Sequence, residues 1–239
     1  MGAGPLRLVE ALGVEAVEIE PATEFRSEIK TTFELYRALA ERVAESAEVP
    51  VVFSGHCGAA TAVASGVGVD DLALLWFDAH GDYNTPDTTD TGFLDGMCLA
   101  VLTGRGWKKL ARTIPGFAPL DPRRVVHCGA RDWSPGEREA LLDDGVRLAR
   151  TADEVSFDGI AGTRILIHLD VDVLDPRFGR ANHYACDGGL SPDDVLRVIE
   201  LAKQRFTVAG LVVASYAPEC DPEGRIVEIV KRVVASVDL

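Results

Sequence analysis

The stretch Leu72-Ala-Leu-Leu-Trp-Phe-Asp-Ala-His-Gly-Asp-Tyr-Asn84 ends an uncharged apolar run in three groups capable of chemistry, Asp78, His80 and Asp82, spaced two apart. In extended backbone alternate side chains share a face, so the spacing predicts that all three project together from a strand's C-terminal end. Two carboxylates and an imidazole suit a divalent ion of manganese, zinc or iron type better than calcium. A second run, Arg164-Ile-Leu-Ile-His-Leu-Asp-Val-Asp-Val-Leu-Asp-Pro176, delivers Asp170 and Asp172 at the same spacing. Carboxylates crowded at one sheet edge repel unless a cation neutralises them. Five ligand-type groups exceed what one tetrahedral ion uses, so a pair of metal ions is expected.

The elements that must position these groups can be read from periodicity. Uncharged apolar runs of this length predict strands buried on both faces of a parallel sheet. Helical spacing predicts a short helix over 5–12, a long amphipathic one over 25–47 and others over 59–65, 96–102 and 135–144. Strand patterns fall at 14–19, 49–53, 72–77, 123–127, 146–148, 164–170 and 206–214. Ser191 caps a helix with Pro192 at its first position, and a closing helix covers 224–237. Strands alternating with helices imply an α/β fold: a three-layer, doubly wound, mostly parallel sheet with helices on both faces. In such sheets ligands bind beyond the carboxyl ends of the strands, where every candidate here falls. With no linker-like boundary, a single domain over 1–239 is expected.

Composition narrows the function classes. Hydrophobic residues make up 47% of the 239, ample for a sizeable core. No apolar run reaches the ~18 residues of a membrane span. Met1-Gly-Ala-Gly lacks a signal peptide's basic and apolar regions, and Leu6 stands where a myristoylation signal needs Ser or Thr. Lys and Arg number 24 against 38 Asp and Glu, a net charge of −14, which argues against nucleic acid and anionic membranes as partners. Five irregularly spaced cysteines fit a reduced cytoplasm rather than a disulfide framework.

Asp-Ala-His-x-Asp followed by Asp-Val-Asp-x-Leu-Asp-Pro resembles the ureohydrolases, the family of arginase, agmatinase and formiminoglutamase. The resemblance runs from about residue 50 to the C-terminus. It implies an arginase-like fold, a small-molecule substrate, a homo-oligomer and two Mn²⁺ ions bridged by Asp78 and Asp170. Asp82 and Cys57 would complete one ion, and His80 and Asp172 the other. The ions would activate a bridging water for attack on a linear C–N bond of guanidine, hydroxyguanidine or amidine type. Gly4-Pro5-Leu6-Arg7 resembles the segment after the family's first strand, so that strand is expected to be missing or replaced, exposing a sheet edge.

The departures from the family bear on function. In Ser54-Gly55-His56-Cys57-Gly58, Cys57 stands at a metal-binding histidine; it is read as a ligand, a nucleophile or a small packing residue. His56 is adjacent but points elsewhere. Asp95 takes the place of a proton-shuttling histidine, and Asp82 would also orient the attacking water. Gly210-Leu-Val-Val-Ala-Ser-Tyr-Ala-Pro218 matches a strand whose glutamate receives the guanidinium, with Ser215 in its place; sliding the match four residues would make Glu219 the equivalent. In Gly129-Ala-Arg-Asp-Trp-Ser-Pro-Gly-Glu137, Ser134 replaces an amine-contacting aspartate. Asn84 and Thr91 match positions that hold an α-carboxylate, and His183 and Tyr184 sit where the family faces substrate. His127 and His168 read as satisfied core histidines, and the other cysteines as inert. Unmodified arginine is therefore not the expected substrate, because its guanidinium would be left unpaired. The alternative is a non-catalytic homologue that binds or assembles.

Overall fold

The computed structural model describes residues 3–22 and 27–237. The Met1-Gly2 start and the expected helix start at Phe25 lie outside the described residues. Six strands form one parallel sheet in the order β1-β6-β5-β2-β3-β4: β1 Val51–Ser54, β2 Leu72–Phe77, β3 Val125–Cys128, β4 Arg147–Ala149, β5 Arg164–Asp170 and β6 Thr207–Ala214. From β2 the chain steps outward through β3 to β4; from β5 it steps the other way to β6. The switch point thus lies between β2 and β5, the crevice where such sheets hold ligands.

Each central strand is apolar on both faces because both are covered. Leu72, Leu74 and Trp76 join a core with helices α2 Glu28–Glu45, α3 Ala59–Val67, α4 Cys98–Leu102 and α6 Glu137–Asp143. Ala73, Leu75 and Phe77 join the other, with α1 Gly4–Leu12, α7 Pro192–Lys203 and α8 Arg225–Ser236. All six side chains are fully buried, each large one contributing about 1.5–3 kcal/mol by removal from water. A further short helix, α5 Lys108–Ala111, has no counterpart in the periodicity reading. Among the described residues no helix is long and apolar enough to cross a membrane.

The expected strand over 14–19 does not form. Those residues are irregular, with Val14 and Val17 exposed. Alternation alone makes no strand without a partner, and β1, the sheet's edge on that side, hydrogen-bonds only β6. That edge strand is half-buried.

Candidate metal centre

Sheet register brings the acids together. Phe77 pairs with Leu169, Asp170 with Ala214 and Ser54 with Ala214. Asp78, Asp170, Ser215 and the turn carrying Cys57 therefore emerge side by side at the switch point.

The local geometry differs from the alternation that the spacing suggested. β2 ends at Phe77, and the chain turns because Asp78 Oδ1 accepts the His80 N–H at 2.8 Å. Asp82 then sits at φ 53, a left-handed conformation costing a non-glycine residue roughly 1–2 kcal/mol. Gly81 is needed beside it, since an added Cβ would overlap the Glu137 carboxyl. The second strand repeats the device: Asp170 Oδ1 accepts the Asp172 N–H at 2.9 Å, opening a short 3-10 turn.

Asp78, Asp82, Asp170 and Asp172 are each no more than 5% exposed. His80 Nδ1 lies 3.3 Å from Asp78 Oδ1 and 3.5 Å from Asp172 Oδ2. Trp76 Nε1 donates to Asp78 Oδ2 at 3.2 Å, and Asn182 Nδ2 to Asp172 Oδ2 at 3.1 Å. Asp82 Oδ2 is buried with no hydrogen-bond partner. An unpaired buried carboxylate is costly, and four together more so. Burial, reinforced by Asp172 and opposed by the His80 hydrogen bond, pushes Asp78 up to about 6. Burial and neighbouring aspartates hold Asp82 and Asp170 well above the carboxylate range. At His80 burial opposes the charged form, yet the hydrogen bond to Asp78 and the aspartate charges outweigh it and raise the imidazole to about 10. A cation bound among these groups would favour their charged forms and so oppose the shifts that burial and mutual repulsion impose on the aspartates. Buried oxygens, one imidazole and one unpartnered carboxylate oxygen fit a pair of divalent ions.

Cys57 is buried at the start of α3. Its thiol donates to Asp170 Oδ2 at 2.9 Å and lies 3.3 Å from Ser215 Oγ. Burial first, then Asp170, raises its pKa well above the usual thiol value, which disfavours a free nucleophile. His56 turns instead to the Tyr36 hydroxyl at 2.8 Å, to Asp95 Oδ1 at 3.3 Å and to Cys98 at 3.5 Å. Asp95 Oδ1 also accepts the Cys57 N–H at 2.7 Å. Cys98 therefore belongs to a polar cluster, not to inert packing.

A cavity of about 600 Å³ opens above these groups, lined among others by Asn84, Thr91, Asp95, Ser134, Tyr184 and Ser215. Asn84 Nδ2 donates to Ser134 Oγ at 3.0 Å and to Glu137 Oε1 at 3.2 Å. His183 and Glu219 do not line it: they stand exposed, paired with each other at 3.5 Å. The structure thus brings Ser215, not Glu219, to the acids. Glu137, Asn182, Trp133 and Phe93 line the cavity without having been singled out. Glu137 closed a motif read for Ser134, and the others carried no spacing signal. His127 and His168, read as satisfied, are fully buried but neither ring nitrogen of either makes a hydrogen bond.

The arginase family model matches residues 7–238, well before residue 50 where the motifs begin. Arginase of Bacillus subtilis is 30% identical over 198 residues, 76% of this chain and 64% of that one. N(omega)-hydroxy-L-arginine amidinohydrolase of Streptomyces lavendulae is 37% identical over 133 residues, 54% of this chain and 46% of that one. The match thus spans less than two thirds of either relative. In structure the chain follows Bacillus subtilis arginase with TM-score 0.84 at 24% identity, covering 98% of this chain and 91% of that one. Proclavaminate amidino hydrolase of Streptomyces clavuligerus gives 0.67 at 20%, covering 90% and 71%. With both strand-end motifs inside the matched region, the chain belongs to the arginase family.

Proposed function

We propose that this chain hydrolyses a C–N bond of a guanidine or amidine less basic than arginine, an N-hydroxyguanidine foremost. The observation carrying this reading is that four buried aspartates and His80 face a cavity also lined by the neutral Ser215, whose Oγ is 3.3 Å from Cys57 Sγ. In the ureohydrolases that position holds a carboxylate for the guanidinium. A guanidinium desolvated there without its carboxylate would cost several kcal/mol. A hydroxyguanidine, whose electronegative oxygen lowers its basicity, can bind neutral and hydrogen-bond to Ser215 Oγ. The relative named for N-hydroxy-arginine supports a substrate of this type.

Asp78 and Asp170 would be shared by two divalent ions, manganese in the first instance. His80 and Asp172 would complete one, and Asp82 and Cys57 the other. The ions would supply an acidified water. Asp95 would take the proton released by the attacking water and pass it to the leaving amine, and Asn84, Thr91 and Ser134 would hold the substrate's tail. Tyr184 and Phe93, with ring centroids 5.4 Å apart at the mouth, would limit water entry. The free state of all five cysteines accords with work in the cytoplasm.

The test is a release assay on Mn²⁺-loaded protein purified without chelator. N-hydroxyarginine plus water should give hydroxyurea and ornithine at least tenfold faster, in kcat/KM, than arginine gives urea. Faster urea release from arginine would overturn the substrate assignment. Full metal loading with no turnover of any guanidine, amidine or amide would favour a binding or assembly protein.

A further inference from the structure

His168 lies two residues before Asp170 on β5, on the same face of the sheet. It is 0% exposed, and neither ring nitrogen has a hydrogen-bond partner. The ring stacks on Trp76, its register partner on β2, with centroids 3.7 Å apart and planes at 29°. Buried polar atoms without partners cost stability, so packing alone would favour a phenylalanine or leucine there. A ring nitrogen of His168, the sulfur of Cys57 and a carboxylate oxygen of Asp78 all lie within 4.8 Å of one another.

Sulfur, nitrogen and oxygen at these separations nearly outline a coordination shell. Around a tetrahedral ion with bonds of about 2.0–2.3 Å, neighbouring ligand atoms stand roughly 3.3–3.8 Å apart. Shifts of about 1 Å would close the three onto one ion, and the Asp170 oxygen 2.9 Å from the Cys57 sulfur supplies a fourth donor. We propose that His168 is a metal ligand: with Cys57, Asp78 and Asp170 it forms a buried S,N,O,O site that takes a thiophilic divalent ion of zinc or cobalt type, His168 standing in the place given above to Asp82, whose carboxylate is left to orient the attacking water. His56, in the turn after β1, is taken up by Tyr36, and an imidazole is thereby supplied from inside the sheet instead. Softer donors than those around His80 make the two positions of the pair chemically unequal. The inference rests on the proposed function only in sharing Cys57, Asp78 and Asp170 as ligands; it requires no turnover.

The experiment loads the chelated full chain with Co²⁺ and reads proton NMR and near-ultraviolet absorption. At two equivalents, two exchangeable imidazole N–H resonances shifted by the paramagnetic ion are expected, from His80 and His168, with a sulfur-to-cobalt charge-transfer band. His168→Phe, which fills the stack on Trp76, should remove one resonance, lower the stoichiometry by one equivalent and weaken Zn²⁺ binding by at least ~100-fold, more than loss of a group merely hydrogen-bonded to a ligand usually brings. His168→Gln gives a second variant should the first fail to fold. His127→Phe, the neighbouring buried imidazole outside the cluster, should leave both resonances in place. A single shifted imidazole in the wild type, or an unchanged spectrum in a folded His168 variant, overturns the proposal while leaving hydroxyguanidine hydrolysis standing. Two resonances without any hydrolysis would uphold the site and reject the hydrolase reading; no metal binding at all would overturn both.

Discussion

The floor and the mouth of the cavity differ in what fixes them. On the floor, Asp78 follows β2 directly and Asp170 ends β5, two strands locked in parallel register, and their oxygens hold the backbone N–H groups of His80 and Asp172. Moving one such carboxylate would require moving a strand. At the mouth, Thr91, Phe93 and Tyr184 sit on exposed loops, where a substitution disturbs little else. The floor keeps five family-type ligand residues and, directly after β6, the buried Ser215, whereas Ser134 sits half-buried on a loop. Sheet geometry thus fixes the ligand cluster, and the loops above it hold the positions that the sheet leaves free.

The largest test of this contrast is on the floor. Asp170→Asn should abolish binding of both ions if, as proposed, they share this carboxylate; metal analysis after dialysis against Mn²⁺ reads the outcome. A variant keeping two equivalents would show that the ions do not share this group. Next in size is Cys57→Ser. It replaces a potential thiolate by a hydroxyl that does not ionise, so one equivalent should be lost and the other kept. Wild-type stoichiometry with unaltered turnover would reduce Cys57 to packing.

At the mouth the expected effect is smaller and selective. Ser134→Asp restores an acid 3.0 Å from Asn84 Nδ2, where a substrate amine would bind. A charge-assisted hydrogen bond is worth about 1.5–3 kcal/mol, so KM for α-amino guanidines should fall roughly 10- to 100-fold with metal content unchanged. An unchanged KM would mean that substrate tails bind elsewhere, and the contrast of floor with mouth would lose its second half.

The same division decides what the sequence disclosed. The floor was legible because strand hydrophobicity and paired acids are local patterns, and parallel register turns them into a site. Even there the mechanism of convergence was misjudged, since Asp-initiated turns rather than strand alternation aim His80 and Asp82. The mouth was read through motif positions, and tertiary placement sorted them: Ser215 reached the acids, while Glu219 and His183 stayed outside the cavity. The alternating residues 14–19 show the limit of periodicity, which states that a segment suits a sheet but not that an edge awaits it. The unpartnered nitrogens of His127 and His168 were invisible for another reason: hydrogen-bond satisfaction depends on every neighbour at once.

His127 supplies the smallest effect, and it asks whether the floor's scaffold is itself sensitive to acid. The ring is fully buried on β3. Burial pushes its pKa down to about 3, opposed weakly by the carbonyls of His80 and Gly81, which approach without meeting hydrogen-bond geometry. The folded-state value lies below the unfolded one near 6.5, so the unfolded chain binds the proton first. The stability that His127 contributes by staying neutral is then complete above pH 6.5 and is lost as pH falls toward 3, at about 1.4 kcal/mol per unit. Asp78, raised to about 6 in the ion-free protein, acts in the opposite sense: its share is present below about 4 and lost as pH rises through 6. Comparing variants at each pH removes that background. His127→Phe should therefore unfold in urea at a midpoint closer to its own pH 7 value when measured at pH 5 than the wild type does. Equal losses in the two proteins between pH 7 and pH 5 would mean that His127 finds a partner or water in solution, and that the floor is wetter than its burial implies.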